Sequence, residues 1–152
     1  MLKENQSAPN FELPDAIGKT HTLSEFKGKK IILYFYPRDD TPGCTKEACD
    51  FRDNYSKLKN KNSVVIGISL DTNESHTKFI KKYDLPFILL SDPEKKTIKK
   101  YDAWQKKSMY GKTYMGIQRS TFIIDEKGKI IKIFPKVSVD GHVDEIIEII
   151  SS

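Results

Sequence analysis

Ile31-Ile32-Leu33-Tyr34-Phe35-Tyr36-Pro37-Arg38-Asp39-Asp40-Thr41-Pro42-Gly43-Cys44-Thr45-Lys46-Glu47-Ala48-Cys49 is the stretch on which the fold turns. Its first part, Ile31 to Tyr36, is an unbroken apolar run, the pattern of a strand buried on both faces. Pro37 ends it. Beyond Pro42, the residues Cys44, Ala48, Phe51, Tyr55 and Leu58 follow at spacings of 4, 3, 4 and 3, which is one face of an α-helix. A second apolar run, Val64 to Leu70, is rich in β-branched residues and reads as another buried strand. Two buried strands joined by a helix make a right-handed βαβ unit.

The flanks extend this unit. Residues 11–22, with Phe11, Leu13 and a turn at Gly18, predict a short N-terminal hairpin. His76, Phe79, Ile80 and Tyr83 form the stripe of a second helix, with Pro86 marking its end. Phe87 to Leu90 is a short strand, and Pro93 opens a lysine-rich helix to about Tyr101. Thr121–Ile124 and Lys129–Phe134 flank four turn-prone residues, 125–128, and predict an antiparallel hairpin. Val143, Ile146, Ile147 and Ile150 mark a C-terminal amphipathic helix. The order βαβ, helix, ββα predicts an α/β, thioredoxin-like fold. It has a central mixed β-sheet flanked by helices, an N-terminal hairpin extension and an inserted helix and strand. With 152 residues and no repeat or linker, the whole of 1–152 is expected to be one domain.

Composition narrows the function. The chain has 26 basic and 21 acidic residues, a formal +5, and nearly all of the basic residues are lysines; the arginines are Arg38, Arg52 and Arg119. Scattered lysine without a basic-aromatic module reads as a solvated surface, so no nucleic-acid partner is expected. No apolar run reaches the roughly 20 residues of a membrane helix, and the N-terminus has no apolar signal core, so the expected compartment is the cytoplasm. Two cysteines do not make a disulfide scaffold, and no C-x-x-C or H-x-x-x-H pair suggests structural zinc. His21, His76 and His142 share no close spacing and read as structural or surface residues. Asp39 and Asp40 read as a solvated loop pair rather than a metal site.

Cys44 carries the chemistry in this reading. It sits where a central strand hands over to a helix, in the first turn, where unpaired backbone N–H groups and the helix dipole favour negative charge. Those effects favour the thiolate, which is the nucleophile. The plainer alternative is a small buried hydrophobe. Gly43 removes bulk beside the sulfur, Thr41 offers a hydroxyl, and Pro37 and Pro42 stiffen the loop. Cys49 lies five residues on. In an ideal helix that places the two Cα atoms about 8.7 Å apart, beyond the roughly 7 Å limit for a disulfide. Either Cys49 is an unrelated core residue, or the helix must unwind to join them.

Pro37, Thr41 and Cys44 together match Pro-x-x-x-Thr-x-x-Cys, and the segment resembles the active-site motif of the peroxiredoxins. More narrowly, Thr41-Pro42-Gly43-Cys44-Thr45-Lys46-Glu47-Ala48-Cys49-Asp50-Phe51-Arg52 is similar to the peroxiredoxin Q group, also called bacterioferritin comigratory protein. Tyr110–Ile117 and Arg119–Asp125 extend the match, so the likeness covers nearly the whole chain.

The resemblance implies a thiol peroxidase for hydrogen peroxide and alkyl hydroperoxides, with no metal, haem or flavin. Cys44 would be peroxidatic and pass through a sulfenic acid, and Thr41 would orient the peroxide. Arg119 would stabilise the thiolate and the developing oxygen charge, and Pro37 would shape the pocket. Cys49 would resolve the sulfenic acid as an intramolecular disulfide, reopened by thioredoxin or, as an alternative, glutaredoxin. Since the resolving thiol is intramolecular, a monomer is expected, with a weak dimer as the alternative. Glu47, one turn after Cys44, is a candidate acceptor for the arginine. Trp104, Tyr110 and Tyr114 lie in the segment leading to Arg119, as an apolar rim or as packing. Arg52 reads as a helix-surface residue. Two rivals stand on the same fold: a protein-disulfide oxidoreductase, disfavoured by the missing C-x-x-C, and a peroxide sensor that reacts once without turnover.

Overall fold

The computed structural model describes residues 1–152. Five strands form the central sheet: β3 (Lys30–Phe35), β4 (Ser63–Ser69), β5 (Ile88–Ser91), β8 (Ser120–Ile124) and β9 (Ile130–Phe134). Their order is β5-β4-β3-β8-β9. β3 runs parallel to β4 and β4 to β5, while β8 is antiparallel to both β3 and β9. This is the mixed thioredoxin-like sheet that the sequence predicts. β1 (Glu12–Pro14) and β2 (Thr20–Thr22) form the N-terminal hairpin.

Successive residues of β3 point to opposite faces and build two cores. Ile31, Leu33 and Phe35 join one, with Phe11, Leu13, Ile98 of α4 (Lys96–Lys100) and Tyr101. Ile32, Tyr34 and Tyr36 join the other. On that side lie Cys44, Ala48 and Phe51 of α1 (Pro42–Asp53), Leu58 of α2 (Tyr55–Asn60), Phe79 of α3 (Asn73–Tyr83) and Val143 and Ile146 of α5 (His142–Ile150). No helix is long and apolar enough to cross a membrane.

Three local features depart from the sequence reading. The stripe from Cys44 to Leu58 belongs to two helices. At Asn54 the side-chain Nδ2 donates to Asp50 O at 2.8 Å, and the backbone leaves the helical conformation at ψ 10°. A side-chain amide that bonds a nearby carbonyl competes with the helix ladder, and here it interrupts it without moving the buried stripe. The lysine-rich helix starts at Lys96 rather than at Pro93 because Lys95 takes a left-handed φ of 67°. Asp92 Oδ2 then accepts from Ile98 N at 2.8 Å.

The third departure is larger. The segment read as a link into Arg119 is a hairpin, β6 (Trp104–Met109) and β7 (Lys112–Ile117), paired only with each other. Its turn is Tyr110-Gly111, with φ of 52° and 77°. Positive φ at both central residues is the type I′ geometry whose twist suits a two-residue hairpin. Both faces of this arm are largely exposed, so it lacks the apolar alternation that marks a half-buried strand.

Candidate active site

Thr41 is the N-cap of α1 and Pro42 its first helical residue, where a missing N–H costs nothing. Cys44 follows in the first turn, only 2% exposed. Arg119 reaches it from the segment between β7 and β8: Nη2 donates to Cys44 Sγ at 3.4 Å, and Nη1 donates to Glu47 Oε1 at 2.8 Å. One guanidinium thus bridges the thiol and a carboxylate one turn further along the helix. Gly43 makes the approach possible, since a Cβ there would lie 3.0 Å from Arg119 Nη2. The Thr41 hydroxyl donates to Arg38 O at 2.8 Å, so its lone pairs remain free to accept. Pro37, half-buried, sits at the exit of β3.

Cys49 stands apart from this cluster. It is a free, half-buried thiol on the same uninterrupted helix as Cys44. Burial pushes its pKa up, against the opposing pull of Arg52. Arg52 is more than a surface residue, because its Nη1 donates to Tyr83 O at 2.7 Å and satisfies a carbonyl at the end of α3.

Glu47 is 1% exposed, and its Oε2 has no partner. Burial raises its carboxyl to about 7, although the Arg119 charge and hydrogen bond pull the other way. Folded and unfolded chains therefore bind different numbers of protons between the ordinary carboxylate range and about pH 7. The folded state binds more there, so the Glu47 contribution to stability falls as pH rises through that window. His142 has the opposite sign. It is buried against Thr121 Oγ1 at 2.8 Å, and burial followed by Arg119 lowers it to about 4, so its contribution grows as pH rises from about 4. Comparing Glu47→Gln with wild type isolates the first effect. The stability of the variant relative to wild type is expected to increase by on the order of 3 kcal/mol between pH 5 and pH 8. Denaturant titrations at the two pH values check this, and a constant difference would refute it.

The acidic pair at Asp39-Asp40 needs correction. Asp39 is buried, not solvated. Its Oδ1 accepts from Tyr36 OH at 2.6 Å, and its Oδ2 accepts from Ser75 Oγ at 2.8 Å. His76 Nδ1 lies 2.7 Å from the same Oδ2, and His76 Nε2 donates to Leu90 O at 3.0 Å, so one proton lies between Nδ1 and the carboxylate. Asp39 N also donates to Asp71 Oδ2. Asp39, Asp71 and His76 come within metal-chelating range of one another, but these hydrogen bonds already occupy the Asp39 oxygens and both ring nitrogens. Asp40 accepts from Lys82 Nζ at 2.8 Å and from Tyr83 OH at 2.9 Å. The loop between Pro37 and Thr41 is therefore pinned to both ends of α3. Single sequence positions could not reveal this, because the partners lie more than 30 residues away. Asp39→Ala would remove the short partner of both Tyr36 OH and His76 Nδ1, leaving them only their mutual contact at 3.4 Å in the interior, and is expected to cost about 3 kcal/mol of stability in denaturant titration. A loss below about 1 kcal/mol would refute the latch.

Sequence reasoning also missed Lys107. It is half-buried on β6, and its Nζ donates to Ile117 O at 3.0 Å. Burial, then Arg119, lowers its pKa, while Cys44 opposes the shift. Its ammonium thus feels the charges of both Arg119 and Cys44. His21 is held between Asp15 at 2.8 Å and Glu25 at 3.0 Å; it, His76 and His142 are all structural, as expected.

Comparison with known proteins agrees with this geometry. The AhpC/TSA family profile matches residues 5–133. Peroxiredoxin Bcp of Bacillus subtilis is 50% identical over 147 residues, covering 97% of this chain and 94% of that protein. Peroxiredoxin Bcp of Escherichia coli is 42% identical over 146 residues, covering 96% and 94%. Among solved structures, a cysteine-to-serine mutant of Xylella fastidiosa PrxQ superposes with a TM-score of 0.94 at 30% identity, covering 99% of this chain and 96% of that one. The bacterioferritin comigratory protein of Xanthomonas campestris, whose structures concern its alkyl peroxide reduction, gives a TM-score of 0.88 at 33% identity over 93% and 90%. A buried thiol in a first helical turn, bridged by one arginine, and full-length likeness to these proteins lead to the same conclusion: the chain belongs to the AhpC/TSA peroxiredoxins, in the Bcp/peroxiredoxin Q branch, and is a thiol peroxidase.

Proposed function

We propose that the single domain reduces hydrogen peroxide and alkyl hydroperoxides at Cys44. The observation that carries this is the Arg119 N–H aimed at Cys44 Sγ at 3.4 Å. The guanidinium donates to the sulfur and is poised for the negative charge that develops on the peroxide oxygens. The thiolate attacks one peroxide oxygen and the O–O bond breaks. The other oxygen leaves with a proton as water or alcohol, and Cys44 becomes a sulfenic acid. Thr41 supports this as a positioning hydroxyl. With its proton given to Arg38 O, it accepts from the peroxide O–H and turns the O–O bond toward sulfur. Pro37 walls the pocket at the exit of β3.

Cys49 resolves the sulfenic acid: its thiol condenses with Cys44, water leaves, and a disulfide forms. The raised pKa of Cys49 suits this division of labour, because it keeps that thiol protonated while Cys44 meets peroxide. The continuous α1 helix holds the two sulfurs apart, so its first turns must unwind before the bond closes. Thioredoxin then reduces the disulfide, in the cytoplasm, with the protein acting as a monomer. The test is to add one equivalent of peroxide to the reduced protein and map the product by mass spectrometry. A Cys44–Cys49 disulfide that thioredoxin, thioredoxin reductase and NADPH reopen, with continuing peroxide consumption, is the expected result. A stable sulfenic acid, or one round of reaction without turnover, would overturn it.

A further inference from the structure

The β6–β7 arm has features that the peroxide chemistry does not use. Four of the six exposed large hydrophobic residues lie on it: Tyr110 is 97% exposed, Met109 56%, Met115 51% and Tyr114 43%. Apolar side chains gathered on one projecting element mark an interaction site more often than scattered ones do. The arm is also purely basic. From Trp104 to Arg119 the chain has Lys106, Lys107, Lys112 and Arg119 and no acidic residue. The register sets Lys107 opposite Tyr114 and Met109 opposite Lys112, so these four share one face of the ribbon, with Tyr110 at its tip. That face is continuous with the reactive centre. Lys107 Nζ is bonded to Ile117 O at the end of β7, and two residues later Arg119 contacts Cys44.

We propose that the Met109–Tyr110–Lys112–Tyr114 face of this arm is the docking surface for the protein dithiol that reduces the oxidised enzyme, a partner whose contact surface is acidic around an apolar centre. The proposal rests on the Cys44–Cys49 disulfide described above. In the step it serves, a thiolate of the partner attacks one sulfur of that disulfide, forming a mixed disulfide and releasing the other cysteine. The partner's second thiol then displaces the first. Two electrons and two protons pass to the peroxidase, and the partner leaves as a disulfide. Charge favours this occupant over a second copy of the chain. A two-fold contact of this face with itself would gather Lys107 and Lys112 of both arms in one interface, with no carboxylate on the arm to pair them. An acidic partner gains in encounter rate and orientation from the same charges.

The test uses the triple variant Met109→Thr, Tyr110→Asn and Lys112→Glu. Threonine suits a strand and asparagine tolerates the positive φ of the turn, so the arm keeps its shape. Thioredoxin is the probe, and dithiothreitol is the control that needs no docking surface. The expected result is a KM for thioredoxin raised about tenfold or more. With hydrogen peroxide, which is too small to need an apolar rim, dithiothreitol-supported turnover and the rate of the first peroxide reaction stay within about twofold of wild type, and the thermal midpoint stays within a few degrees. The KM of the wild type rises with salt, and that of the variant rises less. An unchanged thioredoxin KM would overturn the proposal. So would sedimentation showing that the wild type dimerises through this face and the variant does not. Wild-type turnover with dithiothreitol but not with thioredoxin would overturn the choice of partner. Absence of the Cys44–Cys49 disulfide in oxidised wild type would instead bring down the reading beneath it, so the two failures are told apart.

Discussion

Cys44→Ser is expected to bring peroxide consumption to background, while Cys49→Ser consumes one equivalent and then stalls. A serine hydroxyl is not ionised by a neighbouring guanidinium at neutral pH, and sulfur supplies both the nucleophile and the oxidisable centre. The Cys44 variant therefore loses the first step. Cys49 is a half-buried thiol outside the Cys44–Arg119–Glu47 cluster, and its removal leaves that cluster intact. The sulfenic acid then forms but has no internal thiol to condense with. Thioredoxin-supported turnover is expected to fall about tenfold or more, with sulfinic acid accumulating at Cys44 under excess peroxide. Stopped-flow peroxide kinetics and intact-mass measurement check both variants. Sustained turnover by Cys49→Ser at the wild-type rate would remove Cys49 from its resolving role.

Arg119→Met is expected to slow the reaction of Cys44 with peroxide about 10²–10³-fold, the usual cost of losing one preorganised donor at a site of developing charge. Methionine preserves much of the apolar stem and removes the charge and the planar fork. The loss has a second part, because Glu47 would then lose its only hydrogen-bond partner while remaining buried. Arg119→Lys keeps the charge but cannot bridge Cys44 and Glu47 with two parallel N–H groups, and should recover only part of the rate. Double substitution with Glu47→Gln measures the coupling, since residues joined through one guanidinium are not additive. A rate within threefold of wild type for Arg119→Met would show that the helix N-terminus alone activates the thiol.

Much of the protein was legible in local pattern. The runs at Ile31–Tyr36 and Val64–Leu70 became the central strands β3 and β4, because apolar continuity depends only on burial at both sheet faces. The 125–128 turn was equally local, with Asp125 Oδ1 accepting from Lys127 N and Lys129 N at 2.9 Å. Cys44 could be singled out because the strand-to-helix handover is itself a feature of the sequence.

What tertiary structure decided was which distant groups meet. Arg119 lies 75 residues from Cys44, and only the pairing of β3 with β8 brings the two together. The pairing of Asp39 with His76 turns an apparently solvated acid into a buried latch. The β6–β7 arm gave no periodic signal because it buries little of either face. Periodicity reports burial, and burial is strong along the sheet and weak on a projecting ribbon. The amino-acid sequence alone thus determined the strand-to-helix scaffold and its nucleophile, through local burial and helix-start chemistry. Arg119 and Glu47 could be named beforehand only through the family resemblance; the fold determined how the arginine meets the thiol, how the loop is anchored and that an exposed arm stands beside it, because each depends on contacts between residues far apart in the chain.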